Sequence, residues 1–233
     1  MLINLLKDEN KPLEFDSGFY FGKGLFETIL VLEKPVFLEE HLERLNQGLR
    51  KLSIDIQVNK ELILKNIVLS KRELNYTEAQ YEEGFKLKLS QLKRDPKSHM
   101  VYLKSFNYLD NLLEREKAIK EGFDEVVFLN NESFLTEGSV SNLFVIMEDC
   151  ILTPAVDCGL LDGIVRSFII KEFGEKYNII EGKISLGRLE DCKGMFITNS
   201  LLGLMWINSF NGYNLDRSKL YDKIKKNYSL KVT

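Results

Sequence analysis

Leucines at 38, 42, 45, 49 and 52 recur at three- and four-residue spacing and predict an amphipathic helix with one apolar face. Glu39, Glu40 and Glu43 fill its first turns, where carboxylates complement the positive helix end. Upstream, residues 2–6 and 12–15 flank a polar turn and predict a hairpin. Residues 26–32 and 36–38 predict a second hairpin, turning at Glu33-Lys34-Pro35. Residues 62–69 fit helix or strand. The alternation Phe85-Lys-Leu-Lys-Leu-Ser90 predicts a half-buried strand.

The second half alternates helices and strands. A helix is predicted over 107–120, strands over 125–129 and 133–136 about an Asn-Asn turn, and strands over 143–147 and 151–153 about Glu-Asp-Cys. A helix over 162–177 precedes a strand over 179–184 and a short helix over 185–191 with Ser185 as its cap. Strands over 195–198 and 204–207 and a helix over 218–227 finish the chain. This mixture predicts an α+β protein in two parts rather than a doubly wound parallel sheet. Asp95-Pro-Lys-Ser98 reads as a loop and as the best linker candidate. The expected division is a small N-terminal α+β domain over 1–97, a linker over 98–104 and a larger C-terminal α/β domain over 105–233.

Composition narrows the function classes. The 233 residues suit one large domain or two small ones, and 44% hydrophobic with 29% charged residues fits an ordinary globular chain. A net charge of −3 gives no electrostatic case for nucleic acid or an anionic membrane. Three cysteines without metal-ligand spacing argue for a reducing compartment, and two distant histidines argue against a metal site. No apolar run reaches the length of a membrane span and no basic leader opens the chain, so the cytoplasm is the expected location.

Six segments carry candidate chemistry. Lys104 lies among apolar neighbours just before a predicted helix, where poor solvation of its ammonium would leave a free amine for Schiff-base chemistry; taken alone, the local sequence favours a solvated surface lysine. Gly22 and Gly24 in Phe21-Gly-Lys-Gly-Leu-Phe-Glu-Thr28 permit close backbone approach but form no dinucleotide fingerprint. Arg44, off the leucine stripe, offers a planar fork matched to phosphate, or a solvated helix face. Glu137 in Thr136-Glu-Gly-Ser-Val-Ser-Asn142 offers a carboxylate for a protonated ring nitrogen, or a turn-forming acid. Finally, the helix start near Gly163, Ile164 and Val165 and the hydroxyl of Ser200 suit a phosphate, or an ordinary helix start and turn. One amine, one carboxylate, one arginine, one helix N-terminus and one hydroxyl together match the needs of pyridoxal 5'-phosphate.

In this order the segments resemble the fold-type IV, class IV aminotransferase, family of pyridoxal-phosphate enzymes. The resemblance covers residues 21–28, 41–45, 104–116, 125–144, 153–166 and 196–207. It implies a two-domain fold with the cofactor at the domain interface, a small-molecule amine substrate and a homodimer. It implies that Lys104 is the Schiff-base lysine and that Glu137 contacts the ring nitrogen. Arg44, the backbone of Ile164 and Val165, and Ser200 match its phosphate positions, and Leu161 the position packed on the ring. Asn107-Tyr-Leu-Asp-Asn-Leu-Leu and Thr198-Asn-Ser-Leu-Leu-Gly look most like the aminodeoxychorismate lyases, which make 4-aminobenzoate and pyruvate on the way to folate. The alternatives are an aminotransferase of branched-chain or D-amino acids and a non-catalytic paralogue. Lys23, where the family usually has Asp, Trp206, where Pro is common, and a short stretch over 54–68 depart from the pattern.

Overall fold

A computed structural model describes residues 2–5, 20–61, 67–70 and 76–232. The chain divides into two compact units, one of residues 1–74 with 103–108, the other of 75–102 with 109–233. This differs from a division at residue 97: the strand over 85–94 is hydrogen-bonded on both sides to strands of the second unit and belongs with them.

In the first unit, β1 (Leu2–Leu5) pairs antiparallel with β2 (Ile67–Ser70). The expected partner of β1, residues 12–15, lies outside the described residues. The second predicted hairpin does not form strands. A single bridge joins Val31 to Pro35, and Val36 N–H donates to the Leu30 carbonyl at 2.9 Å. Helix α1 (Leu38–Lys51) follows the leucine pattern, with Leu42 and Leu49 buried against Val58 and Leu25, Leu38, Leu45 and Ile54 packed around them.

The second unit is built on nine strands. A short helix missed by periodicity, α2 (Glu78–Glu83), opens it, capped by Thr77 and Gln80 in a reciprocal capping box. β3 (Phe85–Arg94) runs beyond its predicted end. Next come α3 (Leu109–Lys120), β4 (Glu125–Asn130), β5 (Leu135–Gly138), β6 (Asn142–Ile146), β7 (Ile151–Pro154), α4 (Ile164–Tyr177) and β8 (Ile179–Gly182). A 3-10 helix spans Leu186–Asp191, and Ser185 makes no side-chain cap bond to it, contrary to expectation. β9 (Gly194–Asn199), β10 (Gly203–Phe210), the two-residue β11 (Tyr213–Asn214) and α5 (Lys219–Val232) complete the unit.

Six of these strands close on themselves: β3 pairs β4, β4 pairs β5, β5 pairs β6, β6 pairs β9, β9 pairs β10 and β10 returns to β3. Leu87, Val127, Leu143, Val145, Ile197, Met205 and Ile207 cluster in one core. The intervening residues of β4, Val126 and Phe128, pack with Ala118 of α3. Both faces of β4 are therefore covered, and all six of its residues are buried. Phe144 and Phe196 stack at 4.7 Å, with Tyr221 of α5 5.8 Å from Phe196.

β3 carries an irregularity. Leu89 pairs with Val127 and Lys93 with Leu129, so four residues of β3 advance beside two of β4. Ser90 supports the excursion: its hydroxyl accepts from Leu92 N–H at 2.9 Å and donates to Glu114 at 2.6 Å.

Gly84 follows α2 with φ +75°, and a Cβ there would lie 2.5 Å from the Trp206 ring, whose Nε1 donates to the Tyr81 carbonyl at 3.1 Å. Gly84→Ala is expected to lower stability by about 1–3 kcal/mol without changing the fold, read by urea unfolding beside far-UV circular dichroism.

Candidate active site

Lys104 is placed by a short antiparallel contact in the first unit. Leu25 bridges Ser105, Phe26 N–H donates to the Lys104 carbonyl at 2.9 Å, and Phe106 N–H donates to the Gly24 carbonyl at 3.0 Å. Gly24 admits the close approach, since a Cβ there would lie 2.3 Å from the Phe106 ring. The half-buried Lys104 Nζ sits 4.6 Å from the Phe26 ring centre and 5.5 Å from that of Tyr108. The surroundings are thus aromatic rather than simply apolar, and ring faces attract an ammonium.

Phe26 faces Lys104, and the next residue holds Arg44. Glu27, almost fully buried, accepts from Arg44 Nε at 2.8 Å and Nη2 at 2.6 Å, and lies 2.7 Å from His41 Nδ1. His41 and Arg44 lie three residues apart in α1, on one side of the helix. His41 Nε2 is buried without a hydrogen-bond partner. Burial works to raise the Glu27 pKa, but the hydrogen bonds and charges of His41 and Arg44 outweigh it and hold the carboxyl below its ordinary 4.5. As a phosphate ligand, Arg44 would share its guanidinium with Glu27.

In the second unit, Glu137 pairs across β5 and β6 with Asn142. Glu137 Oε2 accepts from Leu161 N–H at 3.1 Å, and Asn142 Nδ2 donates to the Leu161 carbonyl at 2.9 Å. Both peptide groups of Leu161 are thereby held, immediately before α4. Gly163 is required there, because a Cβ would lie 1.8 Å from Asn142 Oδ1. Ile164 and Val165 follow with buried side chains, and the first-turn N–H groups of α4 have no carbonyl of their own helix to meet. Buried Arg166 braces this start: it donates to Asp162 at 3.0 Å and to the Pro154 carbonyl at 2.9 Å, and also pairs with Glu181. Asn142 stands opposite Thr198, so the register carries the turn holding Ser200 to the same end of the sheet. Asn199 Oδ1 stabilises that turn by accepting from Leu201 and Leu202 N–H, each at 2.9 Å.

Glu137, Leu161, Ile164 and Val165 therefore form one constellation with Ser200 at its end of the sheet. Arg44 and Lys104 flank the Phe26-Glu27 dipeptide in the other unit.

Several supporting residues escaped sequence reasoning. Glu125, buried at the start of β4, accepts from Ser139 N–H at 3.1 Å, Val140 N–H at 3.3 Å, the Ser141 hydroxyl at 3.2 Å and the Ser139 hydroxyl. It organises the turn that follows Glu137. Asn111 Nδ2 donates to the Ser139 carbonyl at 2.6 Å and its Oδ1 accepts from Arg94 at 3.0 Å. The signal for Glu27 was its charge within the apolar run around Phe26; Glu125 and Arg94 gave none, because charges at strand ends ordinarily face water.

Among the described residues no group of three metal-ligating side chains is placed to hold an ion, and no helix is long and apolar enough to cross a membrane. The family model described as amino-transferase class IV matches residues 65–210. An aminodeoxychorismate lyase of Bacillus subtilis is 28% identical, covering 82% of this chain and 78% of its own. A putative branched-chain-amino-acid aminotransferase of Methanocaldococcus jannaschii is 25% identical, covering 91% and 87%. Among solved structures, a putative 4-amino-4-deoxychorismate lyase of Legionella pneumophila superposes with a TM-score of 0.84 at 27% identity, covering 97% of each chain.

The Glu27 cluster has a pH signature. A depressed carboxyl pKa contributes stability above the unfolded value near 4.5, and that contribution is lost as pH falls through the lower folded value. Glu27→Gln is expected to lose about 2–3 kcal/mol at neutral pH. The gap from the wild type should close below pH 4.5, as measured by chemical unfolding across the acid range.

Proposed function

The chain belongs to the class IV aminotransferase family and is a pyridoxal-phosphate-dependent enzyme, and from that premise we propose that it is a lyase converting 4-amino-4-deoxychorismate to 4-aminobenzoate and pyruvate. The lyase relatives of Bacillus subtilis and Legionella pneumophila favour this reaction, and the observation that carries the cofactor's place in it is the clamp on Glu137. A buried carboxylate fixed through Leu161 beside the start of α4 offers an acidic partner for a ring nitrogen next to a helix start suited to phosphate. The residues present fit the cofactor: a primary amine between aromatic faces, a held carboxylate, a helix N-terminus and a hydroxyl in a turn. Bound pyridoxal phosphate supplies a carbonyl that condenses with amines and a ring that accepts electron density.

Each side chain then has a task. Lys104 Nζ is the amine that would hold the cofactor carbonyl, and as a free amine it would serve as the base for the proton on the substrate's amine-bearing carbon. Glu137 would keep a proton on the ring nitrogen, with its carboxylate steadied by the Leu161 N–H. Leu161 offers its side chain to the ring. The Ile164 and Val165 N–H groups and the Ser200 hydroxyl would hold the phosphate, and Arg44 is the arginine that the family resemblance assigns to it. A homodimer and a small-molecule amine substrate complete the reading.

An aminotransferase would use the same residues, with Lys104 moving the proton between substrate and cofactor carbons; the archaeal branched-chain relative favours it. Lys104→Ala is expected to lose the visible absorbance band of the bound cofactor together with turnover, while keeping its melting behaviour. Pyruvate should appear from 4-amino-4-deoxychorismate without any oxo-acid acceptor. Amino transfer from a panel of D- and L-amino acids to 2-oxo acids, with no pyruvate released from 4-amino-4-deoxychorismate, would replace the lyase with the transferase.

A further inference from the structure

Arg94 ends β3 with a side chain only 11% exposed. Its guanidinium lies 4.1 Å from the Phe128 ring centre, its Nη2 donates to Asn111 Oδ1 at 3.0 Å, and its Nε is buried with no hydrogen-bond partner. The same Nη2 stands 3.8 Å from Glu137 Oε1. A guanidinium removed from water ordinarily forks onto a carboxylate, as Arg44 does onto Glu27 at 2.6 and 2.8 Å in this chain. Arg94 does not. Phe128 and Asn111 hold it about an ångström short of a bonded pair, and Asn111 is itself tied to the Ser139 carbonyl at 2.6 Å. Glu137 Oε1 therefore faces a fixed positive charge without surrendering a lone pair to it, while Oε2 is engaged by Leu161.

We propose that Arg94 is a positioning residue that acts through Glu137, weakening the hold of that carboxylate on the ring-nitrogen proton and so setting the strength of the electron sink. The proposal rests on the reading in which Glu137 meets the ring nitrogen. A cation beside the carboxylate opposes further positive charge on the ring and on the imine conjugated with it. Arginine suits the task because it stays charged at every working pH and its flat face packs on Phe128.

The test is a pH titration of the visible absorbance of the holoenzyme, with melting curves of the cofactor-free proteins alongside. In Arg94→Met, and in Arg94→Gln should the first not fold, the midpoint is expected to move up by about one pH unit. Arg94→Lys, which restores the charge, should return most of the way to the wild-type midpoint. A neutral variant titrating at the wild-type midpoint overturns the proposal, as does a lysine variant displaced as far as the neutral ones. Glu137→Gln separates the two readings. If that midpoint equals the wild type's, Glu137 does not meet the ring and the reading on which the proposal rests fails. If it moves while the neutral Arg94 variants stay put, only the role of Arg94 fails.

Discussion

A sheet that closes on itself has no free edge along which to slip, and this closure governs the second unit. Each of the six strands in the circuit is paired on both sides, so shifting one by a residue would disturb two ladders and turn its inward side chains outward. Register thereby becomes a means of placing chemistry. Asn142 stands opposite both Glu137 and Thr198, and this fixed correspondence sets the acid, the Leu161 loop and the Ser200 turn at one end of the barrel. Local propensity could not do this, since the pieces come from three separate stretches of chain.

Buried charge is handled consistently. Glu27, Glu125 and Arg166 each sit in the interior with several partners already in place, so their desolvation is offset by bonds that do not have to be found anew. Glu137 belongs to the same class of residue but meets its guanidinium differently: Oε2 accepts from Leu161 N–H, while Arg94 stands 3.8 Å from Oε1 rather than forking onto it as Arg44 does onto Glu27.

Much of the fold was legible. The leucine stripe of α1 and the alternation at the start of β3 are strong local patterns, and both elements formed where expected. Residues 26–38 misled because a turn signal between apolar runs need not be followed by a ladder; here only bridges form before the helix begins. The pairing of β1 with β2 joins distant stretches and has no local signature. Among candidate site residues, Glu137 stood out as an acid in a compact polar corner and Leu161 only through the family resemblance; their hydrogen bond, spanning separate segments, is a tertiary contact with no local signature. The surroundings of Lys104 and Arg44 could not be read either, because Phe26 and Glu27 reach them only through tertiary contact.

The excursion in β3 has a consequence for distances along the strand. Two additional residues between Leu89 and Lys93 are an even number, so they leave the in-and-out alternation intact on either side. What they change is reach. Were the same residues in regular register from Leu89 onward, Leu92 would stand beside Asn130, and Arg94 would run about 6–7 Å past the end of its neighbour. With the excursion, Arg94 is drawn back level with Asn130 and over Phe128. The slack taken up at Ser90 thus works as a spacer, setting how far along the barrel wall a positive charge is delivered.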